Sequence, residues 1–207
     1  PVIGGKIQAF PSDNWQNEFR IANTANFKVI EWTLDHHNLR HNPLLTSEGQ
    51  KEIKTLSKET NLTIPSLTGD CFMQAPFWKA KKEDKEDLIN NFAKILYSSR
   101  ELEIKNIVIP LVDNGSLENT SQKSCLLDHL ISWTEYLIEN DIHVIFESDL
   151  GPHELSLFID DYPSNFGINY DIGNSASLGF DPEEEKLSYG SKIKNIHIKD
   201  RKFRCSF

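Results

Sequence analysis

The chain is short of cysteine, has a single methionine, no long apolar run and no glycine-rich nucleotide signature, and each shortage removes a class of protein. Cys71, Cys125 and Cys205 are odd in number and form no C-x-x-C pair, so they support neither a disulfide framework nor a zinc ribbon, and a reducing, cytoplasmic setting is expected. No stretch approaches the ~20 apolar residues that cross a bilayer, and the N-terminus lacks a basic-then-apolar signal, so no membrane partner is expected. G-x-G-x-x-G and G-x-x-x-x-G-K are both absent, which removes dinucleotide and P-loop readings. Lys and Arg form no run and the formal net charge is -9, so no nucleic-acid surface is expected. Small molecules are the expected partners, leaving room for a homo-oligomer. At 207 residues and 38% hydrophobic, the chain holds enough for one sizeable core and reads as a single domain, residues 1–207.

What is present is an alternation of helices and strands, the pattern of a parallel sheet covered by crossover helices. A helix over 13–26 is capped by Ser12 or Asp13 and sets Trp15, Phe19 and Ala22 on one side. Strand 27–35, a long loop, a helix over 47–60 and a strand within 62–73 follow. An amphipathic helix over 81–103 keeps Leu88, Phe92, Ile95 and Leu96 at helical spacing, ahead of strand 106–114. The second half gives helix 121–140, strand 143–150, a helix stopped by Pro163, strand 166–174, a short helix begun by Asp181-Pro182 and ended by Gly190, and strand 191–200. The count is six strands, with no internal repeat and no linker.

Three of these strands carry one polar residue near their end: Glu147 in HVIFESDL, Asp171 in INYDIGN and His197 in IKNIHIKD. Period-2 alternation sends Val144 and Phe146, Ile168, Tyr170 and Ile172, and Ile196 and Ile198 to one face and the polar residue to the other. Two carboxylates and an imidazole converging on one point form a candidate divalent-metal site, because they mix hard oxygen with borderline nitrogen. A doubly wound sheet buries both faces, yet here one parity carries Asn169, Asp171, Asn195, His197 and Lys199. A (β/α) barrel accepts that parity near its catalytic rim, so the fold class is α/β with TIM-barrel architecture.

IEWTLD (30–35), the Glu147 strand, YDIGNSASLGFDPEEE (170–185) and IKNIHIKDR (193–201) resemble the sugar phosphate isomerase/epimerase family with the xylose-isomerase-like TIM barrel. The resemblance implies a divalent ion, Mn, Mg, Co or Zn, held by Glu147, Asp171 and His197 plus a fourth ligand on an eighth strand. It also implies an incomplete barrel: the opening GGKIQAF is similar to the segment after a first strand, and RKFRCSF is too short for an eighth, so about six of eight strands are expected. Exposed edges and weak activity of this length alone would follow. The activity implied is isomerisation or epimerisation of a sugar or sugar phosphate through an enediolate, with polyol dehydration in the same family, or a non-catalytic barrel fragment, as alternatives. That chemistry needs a base for the proton beside a carbonyl and a Lewis acid for the resulting charge, and Glu147 is the candidate base.

Other positions keep two readings. Glu31 either bonds a substrate hydroxyl or forms a structural ion pair. Asn174 either caps the next helix or touches substrate. Asp200 and Arg201 either orient His197 or contact an anionic substrate group, against a solvated charged loop, and Lys199 is the better candidate for reaching a phosphate or carboxylate. His36, His37 and His41 crowd one loop and invite a multi-zinc reading, weighed against simple exposure. Trp32, Phe72 and Trp78 are candidates for an apolar wall under a sugar, although Trp32 has the outward parity. Cys71 is a weak nucleophile candidate with no visible base.

Overall fold

A strand that follows a helical crossover runs in the same direction as the strand before it, so the alternation read above calls for a parallel sheet. The structure, a computed structural model, describes residues 9–199 and the backbone of 2–3 and 6–7. Strands β1 (Val2–Ile3) and β2 (Lys6–Ile7) pair as a small antiparallel hairpin apart from the main sheet. The main sheet has six parallel strands in chain order: β3 (Val29–Thr33), β4 (Thr63–Thr68), β5 (Asn106–Leu111), β6 (His143–Ser148), β7 (Phe166–Asp171) and β8 (Ile193–His197). Around it lie α1 (Trp15–Thr24), α2 (Ser47–Thr60), α3 (Asp70–Gln74), α4 (Lys82–Glu101), α5 (Thr120–Ile131), α6 (Thr134–Glu139), α7 (Pro152–Asp160), α8 (Ile172–Leu178) and α9 (Pro182–Tyr189).

Register decides which residues share a face. Glu31 pairs with Ser66, Thr33 with Thr68, Thr68 with Val108, Pro110 with Glu147, Asn169 with Asn195 and Asp171 with His197, so the polar residues of successive strands line one face. The other face presents Trp32, Leu67, Ile107, Ile109, Val144, Phe146 and Ile168, all buried in one hydrophobic cluster with Phe19, Ile53, Phe92, Ile95, Leu126 and Phe158 from the helices. Each such side chain contributes about 1.5–3 kcal/mol on burial. One extra residue on β4 between the Val29 and Glu31 pairings, and one on β8 between the Ile168 and Asn169 pairings, bulge the sheet near its two edges. Pro65 falls in the first bulge, where a missing N–H disturbs no regular ladder.

A flat six-stranded sheet would separate its edges by about 24 Å at ~4.8 Å per strand. Instead, Glu31 on edge strand β3 lies 2.7 Å from His197 on edge strand β8 and 3.5 Å from Asn195. The sheet is therefore curled into an open barrel with its polar face inward. At the β8 edge the outer face is uncovered: Ile196 is 55% and Ile198, just past the strand, 82% exposed, in contrast with the centre.

Several segments end differently from the sequence expectation: the helix placed over 13–26 runs Trp15–Thr24 with Asn14, not Ser12 or Asp13, at its N-cap, and the strand placed over 106–114 stops at Leu111. The strand placed within 62–73 stops at Thr68 and α3 begins at Asp70. The helix placed over 121–140 breaks between Ile131 and Thr134. The strand placed over 166–174 stops at Asp171, because its carboxylate accepts the Asn174 N–H at 2.8 Å and starts α8. No helix among the described residues is long and apolar enough to cross a membrane.

Candidate metal centre

The C-terminal ends of β6, β7 and β8 bring Glu147, Asp171 and His197 together, with one ligand atom of each within 4.8 Å of the others. Local sequence makes this approach feasible. A Cβ on Gly173 would lie 2.6 Å from both the side chain and the carbonyl oxygen of Lys199, so only glycine lets the chain beyond β8 cross the first turn of α8. That crossing sets the Lys199 ammonium in an ion pair with Asp171 and 3.5 Å from Glu147 Oε1.

A polar layer holds the three residues in place. Asn169 Nδ2 donates to Glu147 Oε2 at 3.0 Å and lies 3.0 Å from His197 Nδ1, while Asn195 Nδ2 donates to Asn169 Oδ1 at 2.9 Å. Asn174 Nδ2 donates to the other Glu147 oxygen, Oε1. His197 Nδ1 stands 3.2 Å from Glu147 Oε2 and 3.9 Å from Asp171 Oδ2, and its Nε2 faces Glu31 Oε1 at 2.7 Å. Glu31 accepts in turn from Ser66 Oγ at 2.5 Å and Thr68 Oγ1 at 2.7 Å.

Burial opposes charge on Glu31, Glu147 and His197, and the cluster answers with opposite charges. Burial disfavours the His197 imidazolium, but hydrogen bonds to Glu147 and Glu31 and their charges outweigh it and push the ring up to about 10. Burial would raise Glu147, yet the His197 bond and the Lys199 charge hold its carboxyl below the usual range. Glu31 follows the same pattern, its burial offset by His197, Ser66 and Thr68. Asp70, at the start of α3, goes the other way: burial, then the negative charges of Asp35 and Glu147, push it up to about 7 against the pull of Lys199.

The donor set suits a divalent cation. Asp171 Oδ2 is buried without a regular hydrogen bond and faces cations. Glu147 Oε2 and His197 Nδ1 complete an O, O, N group at near ion-binding spacing. With Nε2 turned to Glu31, the ring keeps Nδ1 for the ion, as in carboxylate–histidine–metal arrangements.

The remaining expected residues are placed as follows. Glu31 sits behind the His197 ring with its oxygens engaged by Ser66, Thr68, Asn195 and His197. Asn174 donates from its backbone to Asp171 and from its side chain to Glu147. Lys199 is at the carboxylates, and Asp200 and Arg201 lie outside the described residues. His36, His37 and His41 form no metal-type group, the trio above being the one found among the described residues. Trp32, Phe72 and Trp78 are buried in the hydrophobic cluster rather than forming a sugar wall, and Trp32 Nε1 donates to Asn42 while Trp78 Nε1 donates to the Gly115 carbonyl. Burial and the Asp70 charge push the Cys71 thiol far up, which removes it as a nucleophile. Sequence reasoning missed Asn169 and Asp70 as parts of the site. Parity had placed Asn169 in the lumen, whereas Asp70 gave no signal because its segment read as strand.

A family model described as a xylose isomerase-like TIM barrel matches residues 19–206. No curated protein matches the chain in sequence. Among solved structures, a 3-keto-D-glucoside 4-epimerase from E. coli is 16% identical with a TM-score of 0.71, covering 94% of this chain and 77% of that one. A sugar phosphate isomerase/epimerase from Parabacteroides distasonis is 15% identical with a TM-score of 0.68, covering 92% and 73%. A xylose isomerase-like TIM barrel protein from Mycobacterium smegmatis, in complex with magnesium, is 16% identical with a TM-score of 0.69, covering 95% and 69%. At these identities the likeness concerns the fold. With the family match running over most of its length and the same barrel architecture in its structure, the chain belongs to the xylose isomerase-like TIM barrel family.

Proposed function

We propose that this is a metal-dependent isomerase or epimerase of a sugar or sugar phosphate, in a cytoplasmic protein built as one domain over residues 1–207. The observation that carries the reading is the convergence of Glu147, Asp171 and His197 within 4.8 Å at the C-terminal rim of the barrel. These three would hold Mn, Mg, Co or Zn, which supplies Lewis-acid polarisation of adjacent carbonyl and hydroxyl oxygens when bound. Glu147 takes the proton from the carbon beside the carbonyl. Asn169 and Asn174, donating to its two oxygens, fix the direction from which it does so. Glu31 holds the His197 ring, and Lys199 reaches a substrate oxygen or phosphate from beside the carboxylates. Asp70, raised to about 7 in the metal-free chain by burial and by Asp35 and Glu147, is a candidate second acid near these ligands.

The test is elemental analysis of purified protein, followed by solvent deuterium exchange into a panel of ketoses and their phosphates. Bound divalent metal together with exchange at the carbon next to the carbonyl supports the reading. Protein without metal after incubation with each of the four ions refutes it, and release of water with an unsaturated product transfers the site to polyol dehydration.

A further inference from the structure

Behind the metal centre lies a third buried carboxylate. Glu185, on α9, is 2% exposed, and each partner found for it is a hydroxyl. Its Oε2 accepts from Tyr170 at 2.9 Å and from Ser175 Oγ, and its Oε1 accepts from Tyr189 at 2.6 Å. A buried carboxylate satisfied by hydroxyls alone is an expensive way to join a helix to a sheet, since apolar packing would avoid the desolvation.

Its partners explain the arrangement. Tyr170 precedes the ligand Asp171, and Ser175 follows Asn174, whose amide bonds Glu147. One oxygen of Glu185 therefore grips both ends of the turn that carries Asp171 and Asn174. A cavity of about 20 Å³ lined by Glu147, Asp171, Asn174, Ser175, Glu185 and Tyr189 joins Glu185 to the metal centre in one contiguous region.

We infer that Glu185 is a positioning residue that sets the 170–175 turn, and through it the geometry with which Asp171 and Glu147 meet a divalent ion. This rests on the metal reading above. Tyr189 serves as the internal control, because its bond goes to the oxygen that does not touch the turn.

The experiment is titration of the full chain with Mn(II), free Mn(II) being read by electron paramagnetic resonance, alongside thermal melting. Glu185→Gln should weaken Mn(II) binding about 10-fold or more, in the range typical for groups behind metal ligands. Ser175→Ala, which cuts the same link while leaving α9 intact, should act in the same direction and stands in if Glu185→Gln fails to fold. Tyr189→Phe should lower the melting temperature yet keep Mn(II) affinity within twofold. Affinity within twofold of wild type in both Glu185→Gln and Ser175→Ala overturns the inference, as does a loss in Tyr189→Phe equal to that in Glu185→Gln, which would mean general loosening. A wild-type chain that binds no Mn(II) overturns the metal reading itself and this inference with it, a result distinct from the other two.

Discussion

Strands β3 and β4 bring Glu31, Ser66 and Thr68 to the lumen, whereas β6, β7 and β8 bring Glu147, Asp171 and His197. Both sets are polar, partly or fully buried and hydrogen-bonded, yet they are built for different work. In the first set every contact ends on Glu31, and Glu31 ends on the far ring nitrogen of His197. In the second, acceptor atoms crowd together, balanced among the described residues by Lys199, His197 and amide groups. Under the metal proposal, one side of the barrel would present the donors to the ion and the other would aim the His197 ring. The two sides can meet only because the sheet is curled.

The sharpest way to break this division is to remove ligands. Asp171→Asn and His197→Ala should each abolish stoichiometric metal in elemental analysis, and Glu147→Gln should slow deuterium wash-in by about 100- to 10,000-fold, the usual worth of a positioned base. Full-rate exchange in Glu147→Gln would remove it as the base, and unchanged metal in both other variants would dissolve the proposed set.

A smaller loss is expected on the supporting side. Glu31→Gln keeps the size of the side chain but loses the charge that holds His197, so metal affinity should fall about 10- to 100-fold without loss of stoichiometry at saturation. An effect as large as that of Asp171→Asn would mean that Glu31 binds the ion directly and that the division between the two sides is wrong.

Proton competition gives a third test. His197 in the metal-free chain is pushed up to about 10, so its ion pairs stabilise the fold fully below the ordinary histidine value near 6.5 and are lost as pH rises from there toward 10. An ion must displace the Nδ1 proton, so Mn(II) affinity should rise with pH across the same interval. Glu31→Gln should flatten that rise, since the charge of Glu31 helps hold the ring protonated. An affinity that does not change between pH 6.5 and 9 would place the ion away from His197.

How much of this was legible depended on the distance over which each residue acts. Glu147, Asp171 and His197 stood out because each breaks an apolar alternation that a strand imposes on its own sequence. The helix over 47–60 was readable for the same local reason, with Thr46 accepting from the Gly49 N–H at its start. Glu31 had the right parity, but its role depends on the curl that sets β3 against β8, which no single strand encodes. Glu185 was masked by its neighbours: it closes a run of three acids at the start of α9, and only its hydrogen bonds to Tyr170 on β7 and Ser175 on α8 set it inward. Asp70 was hidden by a boundary, since the segment 62–73 is apolar enough to read as strand and the chain turns into α3 only after Gly69.

Asp70 supplies the smallest effect and the one that most sharpens the contrast, because burial and neighbouring carboxylates outweigh the pull of Lys199 on its carboxyl. Its carboxyl rises from an ordinary 3.8 to about 7, so between these values the folded chain holds a proton that the unfolded chain has lost, and stability must fall as pH rises through that window. Asp70→Asn removes the titration. In metal-free protein the variant should gain on wild type between pH 4.5 and 8 by about 1–2 kcal/mol, well under the ~4 kcal/mol that three pH units imply, because partial exposure screens the site. Urea melts in EDTA at the two pH values measure this. Wild type and variant that keep a constant difference would show that Asp70 ionises normally and cannot act as the second acid. Repeating the melts with saturating Mn(II) should shrink the gain, since a divalent cation near Glu147 offsets the negative field that raises Asp70. A gain that persists unchanged with metal bound would separate Asp70 electrostatically from the ligand side of the barrel.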